Sequence, residues 1–179
     1  MKLYVARHGQ SLYNALGICN SDPSVKVPLT DTGIRQAEEL GDQLADTPLE
    51  VVYVSQLERT HQTADIVLRH HPDTKVIEDA RLNDINTGFE GQPVIEYQEY
   101  RDQITDPWND HFDGGESLHE VKLRIEAFIE DLKKQPYSSV LVVTSQDPGR
   151  AFRGVIEQLS DENTWLHPMD NGSYFLFDL

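Results

Sequence analysis

Apolar residues along this chain alternate between two spacings. Short unbroken runs occur at Leu3-Tyr4-Val5-Ala6, Val51 to Val54, Lys75-Val76-Ile77, Val140 to Val143 and Tyr174 to Phe177. Between them, apolar positions recur every three or four residues, as in Ile34, Ala37, Leu40, Leu44 and Ala45, or Leu118, Val121, Ile125, Phe128, Ile129 and Leu132. The runs predict buried strands and the periodic stretches predict helices with one apolar face. Further helices are expected through Leu57, Ala64, Ile66, Val67 and Leu68, through Ile95, Tyr97 and Tyr100, and through Ala151, Phe152, Val155 and Ile156. Ser55 with Glu58 three residues on has the spacing of a capping box at a helix start. Strands alternating with helices over short connections predict an α/β fold, a three-layer α/β/α sandwich around a mostly parallel sheet. Val140 to Val143, the most apolar run, is expected at the centre of that sheet. Ligands of such sheets gather outside the carboxyl ends of the strands. The polar loops after Ala6, Val54 and Val143 should therefore converge on one crevice.

Composition narrows the choice of partner. The 179 residues suit a single domain spanning 1–179, with no internal repeat or linker. Thirty-one acidic against 15 basic residues give a formal net charge of −16. No long-range field then attracts nucleic acid or an anionic membrane, and neither is expected as a partner. Cys19 is the only cysteine, so no intrachain disulfide can form and a cysteine-based zinc site is excluded. No ligand cluster demands a metal, and no cofactor is expected. The chain has no apolar run of membrane-spanning length and no signal-peptide pattern, so the cytoplasm is the expected compartment.

Against that acidic background, Arg7-His8-Gly9 at the end of the first strand is the leading chemical candidate. An imidazole there can act as nucleophile toward a phosphoryl group, and the guanidinium can hold its non-bridging oxygens. Arg59 falls in the first turn of the helix after Val54, where free backbone N–H groups also favour phosphate. Leu82 to Gly91 is a polar, glycine-bearing loop with two carboxylates, and the acidic, aromatic stretch at about 91–114 is expected to form a lid or insertion.

These blocks resemble the histidine phosphatase superfamily, in the branch related to cofactor-dependent phosphoglycerate mutase. Arg7-His8-Gly9 with Ser11 and Asn14 is similar to the family's R-H-G-x-[TS]-x-x-N opening, and Pro28-Leu29-Thr30 with Gly33, Gln36 and Ala37 to its next block. Ser55, Leu57, Arg59, Gln62, Thr63 and Ala64 resemble S-x-L-x-R-x-x-Q-T-A, and Gly114 to Ser117 resembles a G-G-E-S turn. The resemblance implies a phosphoglycerate mutase-like fold and a phosphomonoester hydrolase for a small phosphorylated metabolite. By that resemblance His8 would become phosphohistidine, while Arg7, Arg59 and Asn14 would bind the phosphoryl group. It places Asp84 where the family usually has a glutamate proton donor, with Glu90 in reserve because the loop is one residue shorter than usual. A protonated acid in the first step predicts an acid-side pH optimum.

The block after the central strand departs from the pattern. Ser145 stands where the family normally has a second histidine, followed by Gln146 and Asp147. Serine can still donate to a phosphate but carries no charge, and losing one donor from such a site typically costs about 100- to 1000-fold in turnover. A catalytically impaired phospho-ligand binder or regulator of the same fold is therefore the alternative. A mutase, which must keep its phosphohistidine intact, ranks behind both. The sequence names neither the substrate nor an oligomeric state.

Overall fold

A computed structural model describes residues 1–179. Five strands form one sheet: β1 (Lys2–Arg7), β2 (Val51–Val54), β3 (Lys75–Glu78), β4 (Ser139–Thr144) and β5 (Tyr174–Asp178). Their spatial order is β3-β2-β4-β1-β5, which puts the apolar β4 in the middle. β3, β2, β4 and β1 run parallel, and only β5 is antiparallel, along the outer edge of β1.

Alternation along each strand splits the core in two. Leu3, Val5, Val51, Val140 and Val142 point to one face, where they meet α5 (Leu118–Leu132) and α6 (Gln146–Ile156). Ala6, Val52, Val54, Leu141 and Val143 point to the other, against α2 (Asp31–Leu44) and α3 (Glu58–Val67). Every residue of β4 is buried, as a strand covered on both faces requires. The three layers and the parallel sheet are those expected from the spacing.

The elements differ from expectation in three places. The loop behind His8 contains a one-turn helix, α1 (Leu12–Leu16), started by a reciprocal Ser11–Asn14 capping box and ended by Gly17 in the left-handed region. A second short helix, α7 (Asp161–Leu166), follows α6 and buries only Thr164. The Ser55–Glu58 capping box does not form. The first residue before α3 is Leu57, and Ser55 Oγ instead pairs with Thr60 Oγ1 at 2.9 Å and accepts the Leu57 N–H at 3.2 Å. The box lies later in the chain, where Ser117 and Glu120 close the start of α5. Within 91–114, α4 (Val94–Arg101) is followed by turns, and Tyr100 and Phe112 pack on Phe89 with ring centroids 5.9 and 4.5 Å away.

No helix is long and apolar enough to cross a membrane.

Candidate active site

The carboxyl ends of β1, β2 and β4 deliver their loops to one point. The His8 N–H continues the β1–β4 ladder by donating to Thr144 O at 3.0 Å. Its own carbonyl accepts from Asn171 Nδ2, also at 3.0 Å. The Gly9 N–H donates to Thr63 Oγ1 on α3 at 3.1 Å. With its backbone held on three sides, the imidazole is 1% exposed.

Its two nitrogens have different partners. Arg59 Nε donates to His8 Nε2 at 2.9 Å, so Nε2 carries the lone pair. Nδ1 is then the protonated nitrogen and donates to the Gly9 carbonyl at 2.6 Å. Burial, and then the charges of Arg59 and Arg7, hold the His8 pKa well below its ordinary 6.5. The ring is neutral at physiological pH, with its Nε2 lone pair engaged by the Arg59 N–H.

Arg59 is 2% exposed and joins most of the site together. Besides His8, it donates through Nη1 to Asn20 Oδ1 and through Nη2 to Asn20 O at 2.9 Å, Asp84 Oδ2 at 3.0 Å and Ser145 Oγ at 3.3 Å. Arg7 donates through Nη1 to Gln146 Oε1 at 2.9 Å and to the Met169 carbonyl at 2.6 Å, while its buried Nε–H has no partner. Burial lowers the pKa of both guanidiniums, and the Asp84 carboxylate opposes that shift in each.

Beside these groups lies a cleft of about 210 Å³, lined by Arg7, Asn14, Asn20, Arg59, Asp84, Tyr97 and Asp147 among others. Of the residues singled out from the sequence, Arg7, Arg59, Asn14 and Asp84 line this cleft, and the buried His8 and Ser145 join them through hydrogen bonds to Arg59. Asn14 reaches it while capping α1. Glu90 is turned elsewhere. Its carboxylate accepts from Asn20 Nδ2 at 2.8 Å, from the Ser21 N–H and hydroxyl at 2.6 and 3.3 Å, and from the Asp22 N–H at 3.1 Å. It fixes the loop whose Asn20 holds Arg59.

Asn20, Thr63, Gln146, Asp147 and Tyr97 belong to the same surroundings and were not singled out as site residues. A polar residue inside an irregular loop, such as Asn20, carries no periodicity to mark it. Burial pushes the Tyr97 phenol up to about 12, so it faces the cleft as a neutral hydroxyl. Nowhere are three or more His, Cys, Asp or Glu side chains gathered as they would be to hold a metal ion.

Comparison with known proteins places the chain among phosphatases. The chain is 30% identical over 183 residues to phosphoserine phosphatase 1 of Hydrogenobacter thermophilus, covering 97% of this chain and 84% of that one. It is 32% identical over 172 residues to fructose-2,6-bisphosphatase TIGAR B of Danio rerio, covering 93% and 66% respectively. Among solved structures, the alpha-ribazole phosphatase of Shigella flexneri superposes with a TM-score of 0.89 at 26% identity, covering 100% of this chain and 91% of that one. The family model of the histidine phosphatase superfamily (branch 1) matches residues 3–179, and with a buried histidine and two arginines converging at the head of a phosphoglycerate mutase-like sheet, the chain belongs to that superfamily.

Proposed function

We propose that this protein hydrolyses phosphomonoesters of small metabolites through a phosphohistidine on His8. The observation that carries the proposal is the state of His8, a neutral imidazole with its lone pair on Nε2 and a guanidinium N–H 2.9 Å away. Nε2 attacks phosphorus and the ester oxygen leaves with a proton. Water then cleaves the N–P bond. Charge on the equatorial oxygens is met by Arg7 and Arg59, and positioned donors supply most of what phosphoryl transfer asks of a protein. Asn14 and Ser145 complete the phosphate pocket, and a carboxyl group of the cleft supplies the proton. The similar proteins support this substrate class, since one is a phosphoserine phosphatase, one a fructose-2,6-bisphosphatase and one an alpha-ribazole phosphatase. The cytoplasm is the setting we assign, consistent with a single, unpaired cysteine.

The experiment is a panel of phosphomonoesters (O-phosphoserine, glycerol phosphate, sugar phosphates and p-nitrophenyl phosphate) assayed beside His8→Ala and Ser145→His. Turnover by the parent that disappears in His8→Ala is the expected result. One observation favours a second reading, a phospho-ligand binder. Ser145 is 1% exposed and brings only a hydroxyl, which accepts from Arg59, to the place where the family resemblance puts a second imidazole. A silent parent that binds inorganic phosphate, with turnover appearing in Ser145→His, would favour that reading.

A further inference from the structure

Two carboxyl groups line the cleft beside His8, and their surroundings divide the work between them. Both oxygens of Asp84 already accept N–H donors, Oδ2 from Arg59 Nη2 at 3.0 Å and Oδ1 from the Ile85 backbone at 3.0 Å. That carboxylate is engaged in holding a phosphate-binding arginine. Asp147, in the first turn of α6, is bound on one side only. Its Oδ1 pairs with Arg150 Nη1 at 3.1 Å, and no group of the chain donates to Oδ2. Its neighbour Gln146 accepts from Arg7, so the start of α6 is fixed against the other phosphate-binding arginine.

From this geometry we infer that Asp147 is the general acid and then the general base of the reaction, while Asp84 positions Arg59. The inference rests on the hydrolase reading above. Four charged groups face Asp147: Asp84 from the loop before α4, Arg7 from β1, Arg101 from α4, and Arg150 from its own helix. Burial and the Asp84 carboxylate push its pKa up, against the opposing pull of Arg150, Arg101 and Arg7. A carboxyl group whose surroundings favour its protonated form, with one oxygen left without a donor in the cleft, is suited to give up a proton and take it back.

In the first step the N–P bond forms at His8 Nε2 as the P–O ester bond breaks, and the proton on Asp147 Oδ2 passes to the departing oxygen to give the alcohol. The carboxylate left behind is stabilised by Arg150. In the second step Asp147 takes a proton from water as its oxygen bonds to phosphorus. The N–P bond breaks, phosphate leaves and the starting state returns. No metal or co-reactant enters the balance.

Leaving-group dependence tests the assignment, because p-nitrophenolate departs without being protonated and an alkoxide does not. The comparison is between p-nitrophenyl phosphate and whichever alkyl phosphate of the panel the parent hydrolyses fastest. Asp147→Asn is expected to lower kcat on the alkyl ester by about 100-fold or more while changing the aryl ester by less than about 5-fold. Asp84→Asn is expected to raise KM for both esters alike and leave their ratio unchanged. An unchanged alkyl-to-aryl ratio in Asp147→Asn, or a changed one in Asp84→Asn, overturns the assignment. If Asp147→Asn does not fold, Asp147→Glu keeps the test open. It should move the high-pH fall of kcat on the alkyl ester, and an unmoved fall overturns the proposal. A parent inactive on every ester removes the hydrolase reading and this one together, whereas an active parent indifferent to residue 147 removes this one alone.

Discussion

At the scale of single residues, the site is a chain of acceptors and donors running from Glu90 through Asn20 to Arg59 and His8. Glu90 accepts four hydrogen bonds from residues 20–22, and turning one of its oxygens into an amide sets N–H against N–H there. A buried or half-buried donor left without its acceptor costs about 1–3 kcal/mol. Glu90→Gln should therefore loosen Asn20 and weaken binding of inorganic phosphate by about 10-fold, a factor equal to about 1.4 kcal/mol. Isothermal titration with phosphate measures this. The alkyl-to-aryl ratio of turnover should stay fixed, which a proton donor at residue 90 would not allow. Arg7, His8 and Arg59 were legible in the sequence because each is a charged or nucleophilic residue at a strand end or helix start. Asn20 and Asp147 were not, since what they do depends on which neighbour's donor or acceptor they meet across the fold.

At the scale of elements, the loop that follows β1 is held by backbone packed on backbone. A Cβ on Gly33 would lie 2.1 Å from Gln10 O, and one on Gly9 would lie 2.2 Å from Gly33 O. Neither glycine has a positive φ. They are needed for space, because the start of α2 presses directly on the turn that follows His8. Neither contact atom belongs to a side chain that can swing aside, so Gly33→Ala must push the turn and helix apart. Overpacking of that kind costs about 3 kcal/mol. Thermal unfolding should show a drop in Tm of roughly 6–12 °C for a chain of this size. Activity should fall as well, because the displaced turn carries His8. A Tm within a degree of the parent would mean that the contact yields easily. Strands β1, β2, β4 and β5 and helices α2, α3, α5 and α6 were legible because each buries a face and so imposes a period on its sequence, whereas β3 and α4 bury no residue. Helices α1 and α7 impose none. Leu12 and Leu16 of α1 are exposed, and this helix exists through its capping box and a left-handed glycine. Ser55 misled for a related reason, since its hydroxyl had a nearer partner in Thr60 than the helix start that spacing alone suggested.

At the scale of the whole molecule, burying His8 between two arginines ties stability to pH. The ring is neutral when folded, with its pKa well below 6.5, and regains an ordinary proton affinity when the chain unfolds. As pH falls below about 6.5 the unfolded state takes up a proton that the folded state refuses, so unfolding becomes easier. The contribution is fully present above the unfolded value and is lost as pH falls toward the folded one. Its slope is at most about 1.4 kcal/mol per pH unit, one proton's worth. Asp147 acts in the opposite sense, because its raised pKa makes the folded state the better proton binder above the usual 3.8. The net charge of −16 adds a general repulsion that eases on acidification as carboxylates protonate. Comparison of the parent with His8→Asn cancels both of those contributions and leaves the imidazole alone. Urea unfolding from pH 8 to pH 5 should therefore show the parent losing stability relative to His8→Asn as pH drops, with the two nearly parallel above pH 7. Curves that stay parallel across the whole range would mean that His8 titrates normally in the folded protein. The neutral nucleophile on which the proposed chemistry depends would then be protonated over the acid side of the range where the enzyme is expected to work.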